Sequence, residues 1–142
     1  MSLRRKGREL ALQVLYQLDM SGETSESGLH KFAESFETNP KVREFAWDLV
    51  RGVRHYGPEL DGAVGAVSNN WRVERLSRID ANIIRIALYE MTMGLPIEIA
   101  INEAVEVARR YGTAESAAFV NGVLDAVARY KGFARGQTPN PE

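Results

Sequence analysis

A chain of 142 residues is long enough to bury one core of ordinary size without disulfides or a structural metal, and a second, catalytic domain is not expected within it. With 44% hydrophobic and 26% charged residues and a formal net charge of −1, the composition is that of a globular chain and not of a disordered segment or a membrane span. Cysteine is absent, which removes disulfides, thiolate nucleophiles and thiolate metal sites together and agrees with a reducing compartment.

At the N-terminus, basic residues are followed by a pattern interrupted by Gln13, Gln17 and Asp19. This is not the unbroken apolar stretch of a signal peptide, so a cytoplasmic protein is expected. Leu10, Ala11, Val14, Leu15 and Leu18 recur at helical spacing and predict an amphipathic helix from about Leu3 to Met20. Ser21 to Ser27 break it, and a shorter helix follows around Leu29, Phe32, Ala33 and Phe36. Asn39 and Pro40 supply an N-cap and a first-turn proline for a third helix carrying Phe45, Ala46, Leu49, Val50 and Val53, which Gly57 and Pro58 are expected to stop. Leu60, Ala63, Val64 and Val67 then predict a fourth helix ending at Asn69 and Asn70.

Ser77-Arg78-Ile79-Asp80 is close to a capping box and opens a fifth helix. Its apolar arc of Ile79, Ile83, Ile84, Ile86, Ala87, Leu88 and Met91 is wider than one stripe, which predicts a central helix touched on several sides. After Gly94, Pro96 opens a sixth helix whose inward side is Ile97, Ala100, Ile101, Ala104, Val105, Ala108 and Tyr111. Gly112 ends it and Thr113 is expected to cap a seventh, with Val120, Val123, Leu124 and Val127 facing inward. No segment alternates with a period of two, so the fold class is all-α. One domain over residues 1–131 is expected, with sub-bundles at about 1–70 and 77–131 joined near Trp71 to Leu76, and a disordered tail over 132–142 containing two prolines.

Materials for catalysis are sparse: the only histidines, His30 and His55, have no ligand-like neighbours, and no metal-binding or phosphate-loop motif is present. The reading is therefore of a protein that is not an enzyme and holds no cofactor or metal. Glu103 and Glu106 lie on one helical side, and Arg109 and Arg110 follow Glu106 by three and four residues, a spacing that suits surface ion pairs. The distinctive feature is Arg4-Arg5-Lys6-Gly7-Arg8, which holds four of the 18 basic residues, leaving 14 bases against 19 acids and a charge of −5 elsewhere. A wheel at about 100° per residue puts Arg5, Arg8 and Tyr16 within an arc of roughly 80°, with Val14 nearly opposite. A basic strip with an aromatic beside it is thus expected on the solvent side of the first helix. Such a strip can hold a phosphate backbone by charge and a base by stacking. A solubilising flank has the same composition. In the last helix Asn121-Gly122 interrupts Phe119-Val120-Asn121-Gly122-Val123-Leu124-Asp125, and a helical glycine costs about 1 kcal/mol relative to alanine. A close approach of a helix or ligand, a specific task for the Asn121 amide, or simple packing would each account for it.

Four segments together resemble the NusB family: Arg4-Arg5-Lys6-Gly7-Arg8-Glu9 with Ala11-Leu12-Gln13 and Leu15-Tyr16; Arg85-Ile86-Ala87-Leu88-Tyr89-Glu90; Ile101-Asn102-Glu103-Ala104-Val105-Glu106; and Phe119 to Asp125. The resemblance runs through nearly the whole chain and implies two three-helix sub-bundles. It also implies a transcription antitermination factor that pairs with the small ribosomal protein NusE, binds single-stranded boxA RNA, and joins a complex on RNA polymerase, notably in ribosomal RNA transcription. By the same resemblance Arg4, Arg5, Lys6 and Arg8 match the arginine-rich RNA-binding segment. Glu115 and Phe119, with Asn121 as a weaker addition, lie where the last helix meets RNA. Tyr16 and Asp80 match the NusE interface, which moves Tyr16 from base stacking to a partner contact. Gly7 stands where a small residue, often alanine, is usual, and is expected to loosen the first turn. Competing readings are an RNA-binding domain like that of ribosomal RNA cytosine methyltransferases, and a helical protein adaptor. Whether the free protein is a monomer or a homodimer burying the basic strip is left open by the sequence.

Overall fold

The computed structural model describes residues 2–67 and 75–131, and every regular element among them is a helix. The six helices are α1 (Leu3–Ser21), α2 (Glu26–Phe36), α3 (Pro40–Val67), α4 (Arg78–Thr92), α5 (Ile97–Tyr111) and α6 (Ser116–Tyr130). The capping residues explain most of the boundaries. Ser2, Ser25 and Ser77 each accept a backbone N–H from the first turn of the helix that follows, and the Asn39 side chain accepts from Lys41 N at 2.9 Å. Gly22 ends α1 with φ at 74°, in the left-handed region that glycine enters without steric cost.

Two boundaries differ from expectation. Gly57 and Pro58 do not stop the third helix: α3 runs through both for 28 residues, so the expected third and fourth helices are one. Val53, Leu60 and Val64 are all buried, and their stripe continues across the proline. Pro58 itself is exposed, so the carbonyl it leaves without an intrahelical donor lies on the side where water can serve it. Thr113 does not cap the last helix directly. Its N–H donates to Ser116 Oγ at 2.9 Å, and α6 starts at Ser116 after a turn.

α1, α2 and α3 pack together, as do α4, α5 and α6, and the two groups meet where α4 lies against α1 and α3. α4 touches α1, α3, α5 and α6, which accounts for its wide apolar arc: Ala81, Ile83, Ile84, Ile86, Ala87, Leu88 and Met91 are all buried. Most of the expected junction at Trp71 to Leu76 and all of the expected tail at 132–142 lie outside the described residues.

Two contacts between helices need glycine. The Tyr89 ring sits directly on the backbone of Gly52, where a Cβ would lie 2.1 Å from Tyr89 Cζ. Likewise a Cβ on Gly7 would lie 2.4 Å from Phe45 Cδ2. Gly7 therefore lets α3 approach α1 closely, where a loosened first turn was expected. Gly122 is exposed and a Cβ there would meet nothing within 4 Å among the described residues, so of the accounts offered for it, a close approach by one of these helices does not apply.

Candidate nucleic-acid interface

The basic turn of α1 is divided by the fold. Arg4 and Lys6 are exposed, Arg5 is half-buried, and Arg8 is buried at 6% exposure. The expected solvent-facing strip therefore does not include Arg8. The wheel assumed that α1 has one buried side, but α1 is enclosed by α3 on one flank and by α4 and α5 on another, and every residue from Gly7 to Leu12 is buried.

Arg8 makes a two-pronged pair with Glu90 of α4, Nε to Oε1 at 2.7 Å and Nη2 to Oε2 at 2.9 Å, and its Nη1 reaches Glu103 of α5 at 3.3 Å. Arg5 holds the same Glu103 from the other side, Nε to Oε1 at 3.1 Å and Nη2 to Oε2 at 2.7 Å. The fork geometry of guanidinium matches a carboxylate on both prongs, which makes these the strong kind of charged hydrogen bond. The hydrogen bonds from Arg5 hold the Glu103 carboxyl below the usual carboxylate range against the opposing effect of burial, and the Arg5 guanidinium is raised in turn. Glu9, one turn on, accepts from Tyr111 Oη at 3.1 Å and from Arg110 at 3.4 Å. The expected surface pairing on α5 thus holds for Glu106 with Arg109 and not for Glu103, whose partners are on α1.

Above this buried lattice the surface of the turn is basic and aromatic. The Arg4 and Arg8 guanidinium carbons lie 5.9 and 5.7 Å from the centroid of the Phe45 ring, which occupies the space that Gly7 leaves. On α6, Glu115 is exposed and accepts from Thr113 Oγ1 at 3.2 Å, Phe119 is half-buried against the core, and Asn121 is half-buried and partnered. α4 and α5 each pack on both α1 and α6, so together they relate these two sets of residues.

Tyr16 and Asp80 lie in segments that one hydrogen bond joins. Asp19 on α1 accepts from Asn82 Nδ2 on α4 at 3.0 Å, three residues beyond Tyr16 and two beyond Asp80. Tyr16 is 38% exposed, and Asp80 Oδ1 is buried with no hydrogen-bond partner among the described residues. Sequence reasoning passed over the neighbours that organise this end: Asn82 is buried, and Arg85 grips Asp61 of α3 at 2.8 and 2.9 Å while also donating to Asn82. The Arg85-to-Glu90 segment held the signal, since Arg85, Tyr89 and Glu90 each turn out to bind a different helix or residue across the core.

This all-helical chain with a basic first helix belongs to the NusB family, whose model matches residues 5–129. Among bacterial proteins, the chain is 44% identical over 129 residues to the transcription antitermination protein NusB of Anaeromyxobacter dehalogenans, covering 89% of this chain and 91% of that one. It is also 44% identical over 134 residues to NusB of Myxococcus xanthus, covering 90% and 96%. The structure of T. maritima NusB superimposes with a TM-score of 0.77 at 32% identity over 94% of this chain and 93% of that one. NusB in a crystal structure of antitermination factors NusB and NusE in complex with double-stranded RNA matches with a TM-score of 0.79 at 25% identity, covering 92% and 98%.

Proposed function

We propose that this protein is an RNA-binding transcription antitermination factor that acts with NusE on boxA-type RNA and within the antitermination complex on RNA polymerase. The observation that carries the reading is the match to the NusB family from Arg5 through Arg129, a span that includes the basic turn. The superposition on NusB in a complex with NusE and RNA supports the same partners. The protein works by binding and not by chemistry, in the cytoplasm, with no cofactor.

The mechanism follows from the division of the basic turn. Arg4 and Lys6 are exposed and take phosphates directly. The Arg5 pair with Glu103 engages Nε and Nη2, and in this reading Nη1 is the nitrogen that takes a phosphate. Arg8 acts from beneath by fixing the turn to α4 and α5. Glu115, Phe119 and Asn121 on α6 contact bases, while Tyr16 and Asp80 contact NusE.

Fluorescence anisotropy of a short single-stranded boxA-type RNA, with and without NusE, tests this. The wild-type protein should bind, more tightly with NusE, and Arg4→Glu/Lys6→Glu should lose most of the affinity while keeping the helical content. RNA binding absent even with NusE would leave a helical adaptor as the better reading. Charge reversal at Arg8 would be uninformative, because it would place two like charges in a buried site.

A further inference from the structure

Between α1, the end of α2 and the end of α5 lies an open groove of about 280 Å³. Its floor is the buried Leu10, and its rim carries Lys6, Phe36, Arg110 and Tyr111. Phe36 is the last residue of α2 and is 57% exposed, an aromatic ring left largely on the surface 4.7 Å from the neighbouring Phe32 ring. Burial would be worth about 2 kcal/mol to such a side chain, so the core gains little by leaving it out. Both carboxylates on the groove are already occupied: Glu9 accepts from Tyr111 and Arg110, and Glu37 accepts from the backbone N–H of Asn39 at 3.1 Å. Arg110 and Glu9 are paired with each other, so what faces a ligand is the stacking surface of Phe36 and the cationic side chain of Lys6. The half-exposed Arg110 lies with its guanidinium carbon 5.9 Å from the Tyr111 centroid.

We propose that this groove takes a nucleotide of the bound single-stranded RNA, its base stacked on Phe36 and its phosphate held by Lys6, so that the RNA path extends from the basic turn of α1 onto the end of α2. The inference rests on the RNA-binding reading above. Lys6 belongs both to the basic turn and to the groove, which makes the two surfaces continuous. An exposed ring beside a lysine combines the two sources of affinity for a single strand, stacking on any base and attraction to the backbone.

The test compares wild type with Phe36→Ala and Phe36→Tyr by anisotropy with a boxA-type RNA in the presence of NusE, and repeats the comparison with RNAs that carry one abasic site at successive positions. Phe36→Ala should weaken binding roughly tenfold, as loss of one base stack does, and Phe36→Tyr should restore it. The dependence on salt should not change, since no phosphate contact is removed. At one abasic position wild type and Phe36→Ala should bind equally. Wild-type affinity in Phe36→Ala, or an equal loss at every abasic position, would overturn the inference while leaving the RNA-binding reading intact. A weakened affinity for NusE without RNA would overturn it by making Phe36 a protein contact. Failure of the wild type to bind any of the RNAs would remove both. Because Phe36 is exposed, the unfolding midpoint of both variants should match that of the wild type.

Discussion

Arg8 shows how far a single side chain can be from the role its neighbours suggest. It belongs to a run of basic residues, yet it is buried and bound on both prongs to Glu90, with Glu103 on a third nitrogen. Removing one member of a buried pair strands the other charge, so Arg8→Ala should cost about 3–5 kcal/mol in urea unfolding. Arg8→Lys should recover little of it, because an ammonium cannot span both carboxylate oxygens. Glu103 belongs to the same lattice and titrates. Its carboxyl is held below the usual range by Arg5, so its stabilising effect is present above the unfolded-state pKa and is lost as the pH falls through the folded value. Stability measured from neutral to acidic pH should therefore fall less steeply in Glu103→Gln than in the wild type, and identical slopes would mean that the pair is not part of the acid response. The motif residues themselves were visible in the sequence. Their partners were not, because 82 residues separate Arg8 from Glu90 and 98 separate Arg5 from Glu103, and no local spacing encodes a contact made by the fold.

Helix starts were legible at Ser77 for α4 and at Asn39 with Pro40 for α3, but not at Ser25, which caps α2 inside the segment Ser21 to Ser27 expected to be a break. The error at Pro58 came from treating a local penalty as decisive. An interior proline costs about 3 kcal/mol, but a helix that buries Val53, Leu60 and Val64 on one continuous stripe gains more than it loses. Pro58→Ala should consequently raise stability by about 2 kcal/mol, the restored hydrogen bond and relieved clash being partly offset by the 0.4–1 kcal/mol that proline saves in the unfolded chain. A loss of stability in thermal unfolding would instead mean that α3 depends on the shape proline imposes. The expectation about α1 failed for a related reason. A helical wheel separates one inside from one outside, and α1 is covered by α3 and by α4 with α5, so its basic arc is partly interior.

At the scale of the molecule, the charge of the basic turn is divided between holding helices together and, in the function proposed above, meeting RNA, and the two tasks can be told apart by salt. Each phosphate neutralised on a single strand contributes about 0.7 to the slope of log affinity against log salt, so Arg4→Gln/Lys6→Gln should flatten that slope by about 1.4. An unchanged slope would mean that neither side chain meets a phosphate. By itself the sequence determined the helical class, the caps at Asn39 and Ser77, the central place of α4 and the family, because these depend on residue periodicity, on short-range hydrogen bonding and on the order of segments along the chain. Only the tertiary structure decided which basic residues face outward, why Gly7 and Gly52 are glycines, and that Phe36 stands beside Lys6 and Tyr111. Those are properties of helices brought together from distant parts of the chain, where the geometry of packing, and not the composition of any one segment, determines whether a charge is paired, buried or free to meet a ligand.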